Sequence, residues 1–491
     1  MSELLRRLTT FAADHPDRLA IACGDDAMTY RGLLDATRAF SDFFASQGSP
    51  LVVLALPGGP RFLAAELGAI AAGAVVLPIS DKTTKHEMAG VLALVSPDVV
   101  VVESAEAQAP ILSALTEPAV VVAGSSMPVL ASNPSARQRS LPENTCMIQL
   151  TSGSTGRPKG ICITEANLVA NQDANAAHLA SFGDAPVFCP VPQFHAMGGA
   201  VVLEHVLSGR GAIVTNKFVP GDDVRRMKEN AVGAILGSPS YCRLMLKLRV
   251  LTPAHLPSLR SITLGSAAVD AALIAELQAA FPDLRIHLRY GLSESVGAMT
   301  RLDLAPGEPL AELGLVGPLV NGTLGAPLPT PGEGEPQEII VASSCNAPGQ
   351  LVERGTWQPL TDDAGLLATG DMGFADARGI SVRGRKSAFL KVNGYRINPF
   401  ELEEALRTLP GVQEAVVVGP AHAVSGQRIV ACLEQGPGPR ILEPPALLSA
   451  CRELLAPYKH PHAFLVFESL PRTPAGKPDR ARILEEASRH G

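Results

Sequence analysis

The sequence predicts an α/β fold: a large N-terminal domain of layered α/β subdomains with a β-rich subdomain, followed by a small α+β C-terminal domain. Short β-branched runs alternate with helix-like segments through the first half of the 491 residues, as in domains with parallel, buried strands. Proline- and glycine-rich turns become frequent after about residue 310, which favours a β-rich region. A helix–strand pattern restarts near residue 386. Because the chain is too long for one ordinary domain, we expect domains over 1–385 and 386–491.

The predicted strands of the first half are runs of three or four consecutive apolar residues: 74–77, 99–102, 119–122, 211–214 and 234–236. Helix-like segments separate many of them and cover 60–72, 167–180 and 222–229. The most membrane-like stretch, Phe62 to Ile79, contains a glutamate, two glycines and a proline. It therefore predicts a helix that runs into a buried strand, and no membrane span. Residues 124–144 are rich in Ser, Pro and Asn and predict a surface connection.

The second half begins with turn chemistry and ends with a helix–strand unit. The segment Asp376 to Gly379 predicts a hairpin turn. Asn398, Pro399 and Glu401 have the chemistry of an N-cap, a first-turn proline and a third-position acid, so a helix should begin there. The valine run within 415–418 predicts the next strand.

Overall charge and cysteine usage exclude several classes of partner. The net charge of −7 and the isoelectric point near 5.9 argue against a surface for nucleic acids or anionic membranes. The eight cysteines include no C-x-x-C pair, which predicts reduced thiols in the cytoplasm instead of disulfides or a zinc site. The first residues lack the uninterrupted apolar region of a signal peptide. We therefore expect a cytoplasmic enzyme that acts on a small molecule.

The most informative motif spans Thr151 to Gly160. Its glycines allow a tight turn with exposed N–H groups, and hydroxyls and one lysine add to a concavity suited to a polyphosphate. The predicted phosphate-binding residues are Thr151, Ser152, Gly153, Ser154, Thr155, Gly156 and Lys159. The loop is not a Walker A motif, because Lys159 is followed by glycine instead of Ser or Thr. Taken alone, it is equally well explained as a polar hairpin tip.

Three motifs further along the chain favour the phosphate-binding interpretation over the polar hairpin tip. Tyr290-Gly-Leu-Ser-Glu294 offers an aromatic face for a purine and a carboxylate for Mg²⁺, although a structural turn is its commoner meaning. Asp371 and Arg385 offer acceptors and donors for the two hydroxyls of a ribose, where an exposed ion pair is the commoner meaning. Lys477 ends a Pro/Gly-rich loop that would hold a cation at a projecting tip, as contact with a phosphate requires.

These motifs, in this order, resemble the adenylate-forming superfamily, which comprises acyl-CoA synthetases, firefly-luciferase-like enzymes and peptide-synthetase adenylation domains. The chain is most similar to a stand-alone acyl-CoA synthetase. The resemblance covers nearly the whole chain and rests on five specific motifs. They are the phosphate loop, Tyr290–Glu294, Thr369–Asp371, the Gly384-Arg385 pair with the segment Lys391–Glu403, and Pro471–Lys477.

The resemblance implies a two-step reaction that uses ATP, Mg²⁺ and coenzyme A. A carboxylate would attack the α-phosphate of ATP to give an acyl-adenylate and pyrophosphate, and a thiol would then displace AMP. Ser293 would contact the α-phosphate, Glu294 would bind Mg²⁺, and Lys477 would bridge the substrate carboxylate and the α-phosphate. The residues implied to contact adenine and ribose are Gly265, Ser266, Ala267, Tyr290, Gly291, Asp371 and Arg385.

The resemblance also implies that the C-terminal domain is mobile. It would rotate between the two steps, withdraw Lys477 and bring the region of Lys391 to the thiol tunnel. Ser387 occupies the usual hinge position, where Asp or Lys is more common. Glu165 stands where many relatives carry His after the phosphate loop.

The segment Phe194 to Gly198 matches the substrate-gate motif of the family. Relatives that activate amino acids usually carry Asp at the position of His195, so an α-amino acid is not expected. A packed, satisfied histidine is the alternative meaning of His195 alone. The implied acid pocket is mostly apolar or small, which favours a monocarboxylic aliphatic or aromatic acid. Its residues are His195, Gly237, Ser238, Tyr241, Gly291, Leu292, Val296 and Met299.

Coenzyme A is the expected acceptor of the acyl group. The chain is too short for the insertion of long-chain acyl-AMP ligases that serve carrier proteins. A stand-alone enzyme that loads the phosphopantetheine of an acyl or peptidyl carrier protein remains the second hypothesis. A non-catalytic nucleotide-binding scaffold is a third, disfavoured by the intact Lys477, Glu294 and Asp371.

Overall fold

The computed structural model describes residues 2–48, 50–106, 108–115, 120–123, 140–152, 158–180, 183–386, 390–392, 395–422, 426–455, 459–473 and 476–490. The helices within these ranges are α1 (Glu3–Asp14), α2 (Tyr30–Ser46), α3 (Pro60–Ala71), α4 (Lys85–Leu94), α5 (Ala109–Leu112), α6 (Glu165–Ala180), α7 (Ala196–Leu207), α8 (Pro220–Glu229), α9 (Pro239–Lys247), α10 (Ala271–Ala280), α11 (Pro399–Arg407), α12 (Pro444–Leu454) and α13 (Arg480–His490).

The strands of the first 304 residues are β1 (Leu19–Cys23), β2 (Asp26–Thr29), β3 (Leu51–Ala55), β4 (Val75–Pro78), β5 (Val99–Val102), β6 (Val120–Ala123), β7 (Thr145–Ser152), β8 (Pro158–Thr164), β9 (Val187–Cys189), β10 (Ala212–Val214), β11 (Ala234–Gly237), β12 (Ser261–Leu264), β13 (Arg285–Leu292) and β14 (Gly297–Leu304). The later strands are β15 (Leu315–Gly317), β16 (Thr323–Leu324), β17 (Gln337–Ala342), β18 (Gly349–Glu353), β19 (Thr356–Pro359), β20 (Leu366–Asp376), β21 (Gly379–Arg385), β22 (Leu390–Val392), β23 (Tyr395–Ile397), β24 (Val412–Val418), β25 (Ala421–His422), β26 (Gly426–Gln427), β27 (Val430–Gln435) and β28 (Ala463–Phe467).

The chain divides into two compact units. Unit 1 comprises 1–326, 340–368 and 378–380, and unit 2 comprises 327–339, 369–377 and 381–491. Unit 2 thus takes in two segments that precede the expected boundary at residue 386, and that boundary stays a prediction. A five-stranded sheet in the order β15-β21-β20-β17-β16 is formed within 315–385, which is the β-rich region that the turn chemistry predicted.

Unit 1 contains two eight-stranded sheets, in the orders β14-β13-β12-β11-β9-β10-β1-β2 and β19-β18-β8-β7-β4-β3-β5-β6. Parallel pairing dominates the interior of both, for example between β11, β12 and β13 and between β3, β4 and β5. The largest core cluster takes alternate residues from both sheets, such as Val52 and Leu54 from one and Val187 and Cys189 from the other. Apolar residues of α1, α2, α3 and α7 complete this cluster. These helices therefore form a layer between the sheets, and both faces of the strands are buried.

Unit 2 ends in a three-stranded sheet, β24-β27-β28, with helices on both faces. One face packs on α11 and α12 through a cluster that includes Leu402, Leu406 and Leu447. The other face packs on α13 through Ile483 and Ala487. A four-stranded sheet in the order β23-β22-β26-β25 completes the unit. The α+β character expected of the C-terminal region is confirmed.

The predicted elements fall where the sequence placed them, with small shifts at their ends. Asn398 caps α11 and its side chain accepts a hydrogen bond from the backbone N–H of Phe400, as the N-cap prediction requires. The 60–72 and 74–77 predictions correspond to α3 and β4. Residues 124–139 of the expected surface connection lie outside the described residues. Among the described helices, none combines the length and apolarity that crossing a membrane would need.

Candidate active site

Strand β13 carries the residue expected to contact adenine, Tyr290. It pairs in parallel with β12 and antiparallel with β14. The strand continues to Leu292, and a 3₁₀ turn follows at Ser293–Ser295. The turn therefore begins later than the motif suggested. Tyr290 is half-buried near the end of β13.

Gly291 and Val296 shape the turn that holds Glu294. The pairing of β13 with β14 shifts register after Tyr290, and a Cβ on Gly291 would lie 1.7 Å from the carbonyl oxygen of Gly297. Only glycine fits at that position. Val296 has a left-handed backbone with φ of 53°, and the Glu294 carbonyl accepts a hydrogen bond of 2.8 Å from the N–H of Ala347. Backbone contacts thus fix the predicted Mg²⁺ ligand.

A buried ionic network supports β13 directly before Tyr290. Arg289 donates to Glu204 of α7 at 2.9 Å and to the side-chain amide oxygen of Asn175 on α6 at 3.1 Å. Glu204 also accepts from the amide of Asn171 at 2.9 Å. The Arg289 and Glu204 side chains are 7% and 1% exposed, so the charges are stabilised by each other and by the two amides. The sequence analysis did not predict this network; its one visible signal was Glu204, the only acidic residue of the largely apolar α7.

The gate motif begins α7. His195 takes the N-cap position, and its ring lies 4.6 Å from that of Phe194, centroid to centroid. The carbonyl of Phe194 accepts from the Gln149 amide of β7 at 2.9 Å, which ties the gate to the strand that leads into the phosphate loop. A Cβ on Gly198 would lie 2.1 Å from the Pro192 carbonyl oxygen, so the first turn of α7 packs on the segment before it.

The strands that precede the predicted adenine and acid-pocket residues end at the same edge of the sheet. Gly265 directly follows β12, and a Cβ there would lie 3.2 Å from the Met197 side chain of α7 and 3.3 Å from the Arg289 carbonyl oxygen. Ser266 next to it has a left-handed backbone with φ of 65°, and Ser266 and Ala267 are exposed. The carboxyl edge of a parallel sheet is the usual ligand site in α/β folds. The structure therefore brings Gly265, Tyr290 and the start of α7 together.

Three residues of the expected acid pocket, Gly237, Ser238 and Tyr241, lie where β11 meets α9. Gly237 ends β11, and Ser238 caps α9 by accepting from the N–H of Tyr241 at 3.3 Å. The Tyr241 ring is buried, and its hydroxyl donates to Asp223 at 3.2 Å. Burial raises the pKa of Asp223 to about 6, while the Tyr241 hydrogen bond opposes that shift. Val296 and Met299 are buried, and Leu292 is half-buried.

The phosphate loop joins β7 and β8, which form an antiparallel hairpin. Thr151 pairs with Lys159, and Ser152 pairs with Pro158. A Cβ on Gly160 would lie 2.6 Å from the Ile148 side chain, so glycine is needed where the second strand leaves the loop. Gly153, Ser154, Thr155 and Gly156 lie outside the described residues, and the phosphate role of the loop stays a prediction.

Unit 2 holds a second group of predicted residues. Arg385 donates from Nε to Asp371 at 2.8 Å. The Asp371 side chain is 7% exposed, whereas that of Arg385 is 57% exposed. This pair is therefore not an ordinary surface ion pair, because its carboxylate is buried with a guanidinium that faces water. Thr369 donates to the Ile339 carbonyl at 2.8 Å and accepts from the Asp371 N–H at 3.1 Å, which orients the carboxylate.

Lys477 lies in the electrostatic field of that pair. The surrounding protein lowers the pKa of the Lys477 ammonium by desolvation, Arg385 lowers it further, and Asp371 opposes the shift. Lys477 as a whole remains exposed, so water moderates these effects. Lys391 belongs to β22 opposite Arg396. The expected hinge residue Ser387 lies outside the described residues.

Glu165, which replaces the histidine of many relatives, has a structural role. Its carboxylate accepts from the Ser2 hydroxyl at 2.6 Å and from the Leu4 N–H at 3.0 Å. It thereby satisfies a free N–H at the start of α1, where negative charge is favourable. The departure from the family pattern thus fixes the first helix of the chain.

Among the described residues, one group of three metal-ligand side chains lies close together: His178, His287 and Asp303. One Asp303 oxygen is 2.7 Å from His287 Nδ1, and the other accepts from Arg301 Nε at 3.0 Å. Contacts with the His287 ring and the Arg301 guanidinium therefore engage both oxygens of Asp303, and the His178 ring packs edge-on against that of His287 at 4.5 Å between centroids. Glu294 stands apart from it, as expected for Mg²⁺, which usually takes one or two protein carboxylates together with substrate phosphates.

Comparisons with known proteins find relatives along almost the whole chain. The long-chain-fatty-acid–CoA ligase of Bacillus subtilis (strain 168) is 28% identical, with 98% of this chain and 93% of that protein covered. A feruloyl-CoA synthase from an Amycolatopsis species is 27% identical, with 94% of each chain covered. The crystal structure of ATP-bound MatB from Rhodopseudomonas palustris superposes with a TM-score of 0.83 over 99% of both chains at 24% identity, which establishes the fold.

Family models cover most of the chain. The model of the AMP-binding enzyme matches residues 8–357, and the model of the AMP-binding enzyme C-terminal domain matches residues 401–477. The expected class, an AMP-forming acid–thiol ligase that activates a carboxylic acid with ATP, is confirmed. The chain belongs to the AMP-binding enzyme family.

Proposed function

We propose that the protein converts a non-amino monocarboxylic acid to an acyl-adenylate and transfers the acyl group to coenzyme A. The pairing of the charged groups around the expected acid pocket carries the choice of acid. Tyr241 binds Asp223, and Arg289 binds Glu204. Both carboxylates are buried, with Asp223 0% and Glu204 2% exposed, so neither is offered to an α-ammonium group, and Arg289, which is bound to Glu204, is not offered to a second substrate carboxylate.

The first half-reaction needs positive charge at the α-phosphate. A substrate carboxylate oxygen forms a bond to the α-phosphorus while the bond to the pyrophosphate oxygen breaks. Lys477 supplies the charge that stabilises this transfer, and Ser293 positions the α-phosphate. Glu294 is the residue that would hold Mg²⁺, which neutralises phosphate charge when bound. Tyr290 packs against adenine, and Asp371 with Arg385 holds the ribose.

The second half-reaction forms a carbon–sulfur bond. The thiolate attacks the acyl carbonyl, and the bond to the AMP oxygen breaks. The B. subtilis relative is a long-chain-fatty-acid–CoA ligase and the Amycolatopsis relative a feruloyl-CoA synthase, which supports coenzyme A as acceptor here. A carrier-protein phosphopantetheine is the second candidate. All eight cysteines are free, which supports a reducing compartment such as the cytoplasm.

Acid-dependent exchange of labelled pyrophosphate into ATP tests the proposal. The panel comprises acetate, octanoate, palmitate, benzoate and cinnamate, with phenylalanine and malonate as controls. We expect exchange with one or more of the five monocarboxylates and none with the controls. Exchange only with phenylalanine or malonate would refute the assigned acid class, and no exchange with any acid would favour a scaffold. Competition between coenzyme A and a holo-carrier protein then identifies the acceptor.

A further inference from the structure

Hydrogen bonds and a β-bridge join residues 472–473 to residues 476–478 of unit 2, and we call these described residues the Lys477 hairpin. The N–H of Thr473 donates to the Lys477 carbonyl at 2.8 Å, and the N–H of Gly476 donates to the Thr473 carbonyl at 2.8 Å. Gly476 has a left-handed backbone with φ of 76°, which glycine adopts without strain. Arg472 and Pro478 form an isolated β-bridge at the base. The position of the Lys477 backbone therefore depends on these hydrogen bonds and on the side-chain contacts at the base of the hairpin.

The carboxylate of Glu434 reaches that base. Glu434, on β27, is 5% exposed. Its Oε2 accepts from the Leu470 N–H at 2.8 Å and from Arg472 Nη2 at 2.9 Å. Its Oε1 accepts from the Gln413 amide of β24 at 3.1 Å. Both carboxylate oxygens are thus engaged, and one of them fixes the chain just before the hairpin.

Arg472 carries the connection to the far side of the hairpin. Besides the bond to Glu434, its Nη1 donates to the carbonyl of Gly476 at 3.2 Å. That carbonyl belongs to the peptide bond that leads into Lys477. One planar guanidinium therefore spans from a buried carboxylate on the central strand of the sheet to the backbone next to Lys477. A lysine ammonium, as a single point charge, cannot reproduce this two-ended contact.

We propose that Glu434 and Arg472 are positioning residues that hold Lys477 in place for adenylate formation. The inference deepens the proposed function and rests on it, because it concerns the half-reaction assigned to Lys477. Neutralising Glu434 removes the charge-assisted bond to Arg472 and leaves the Gly476 carbonyl with a poorly anchored donor. A displacement of about 1 Å at a reacting group can cost roughly 100-fold in rate. The assigned thiol transfer does not use Lys477. Loss of the connection from Glu434 through Arg472 should therefore slow adenylate formation alone.

The test measures both half-reactions in Glu434→Gln and Arg472→Lys. Pyrophosphate exchange reports adenylation with the monocarboxylate of the panel that gives the highest wild-type rate. Release of AMP from the supplied acyl-adenylate by coenzyme A reports thiol transfer. We expect adenylation to fall roughly tenfold or more, with thiol transfer within about twofold of wild type. Because the two residues act through one connection, the double variant should be no slower than the slower single variant.

Glu414→Gln is the matched control. Glu414 lies on β24 directly opposite Glu434 and accepts from Arg407 at 2.8 Å, so this variant removes a neighbouring charge and leaves the bonds from Glu434 to Arg472 and from Arg472 to Gly476 in place. Its two half-reactions should match wild type. Equal loss of both half-reactions in Glu434→Gln and Arg472→Lys, or no loss in either, would overturn the positioning role. If Glu434→Gln does not fold, the more exposed Arg472→Lys decides the question. Absence of exchange in the wild type would instead overturn the proposed function.

Discussion

Strand β13 and the Lys477 hairpin hold expected catalytic residues by different means. β13 lies within a sheet buried on both faces, and its last residues follow an ion pair that is itself buried and bound by two amides. In the Lys477 hairpin Lys477 itself is exposed, and the hairpin is bound to its sheet through Arg472 and Glu434. Disrupting the buried ion pair beside β13 should destabilise the fold strongly, whereas disrupting the contacts of the Lys477 hairpin should not. Changes in the first region should therefore reduce stability, and changes in the second should reduce one reaction step.

The largest stability effect is expected from the buried ion pair. Glu204→Gln leaves the Arg289 guanidinium buried without its carboxylate, so the free energy of unfolding should fall by about 3 kcal/mol. Urea unfolding followed by circular dichroism measures the change. Glu229→Gln is the control, because Glu229 pairs with Arg225 on the surface and its loss should cost less than about 0.5 kcal/mol. Equal losses of unfolding free energy in the two variants would show that the buried ion pair stabilises the fold no more than the surface pair does.

A second effect in unit 1 depends on pH. Glu66 of α3 is buried, and desolvation raises the pKa of its carboxyl to about 8 from an ordinary 4.5. The folded state therefore keeps a proton that the unfolded state loses above about pH 4.5. Stability attributable to Glu66 should fall as pH rises from about 4.5 to 8, by about 1.4 kcal/mol per pH unit.

The experiment compares urea unfolding at pH 6 and pH 8 in the wild type and in Glu66→Gln. The wild type should lose about 2 kcal/mol more than the variant over this interval, since glutamine does not titrate. Identical pH dependence in both proteins would show that Glu66 does not carry a raised pKa.

A smaller effect is expected at Glu294, in the turn that follows β13. Glu294→Gln keeps the size of the side chain and the backbone contact to Ala347 but removes the carboxylate expected to bind Mg²⁺. The Mg²⁺ concentration for half-maximal pyrophosphate exchange should rise by roughly threefold to tenfold, since about one charged ligand contact is weakened. An unchanged Mg²⁺ titration would contradict the assignment of Glu294 as a metal ligand.

The sequence predicted the local features of this molecule well because their causes are local. The Asn398 cap, the proline-started α11 and the valine strand β5 follow from residues next to each other. Tyr290 and Gly291 illustrate the limit of local reasoning. The motif suggested a turn, but pairing with β14 extends the strand to Leu292.

The contacts that support the expected site residues could not be predicted from the sequence, because they join residues far apart in the chain. Arg289 meets Glu204 across 85 positions, and Glu165 meets Ser2 across 163. Nothing near Glu434 in sequence indicates that its partner is Arg472, 38 residues later. Motifs therefore indicated which residues perform the chemistry, and only the fold revealed which residues hold them.

The comparison of half-reactions in Lys477→Ala tests the central claim most directly. Pyrophosphate exchange should fall by at least roughly 100-fold, because the charge that stabilises the transferred phosphate is removed. Conversion of supplied acyl-adenylate to the thioester by coenzyme A should stay within about twofold of wild type. Equal damage to both steps, or exchange at the wild-type rate, would contradict the role assigned to Lys477.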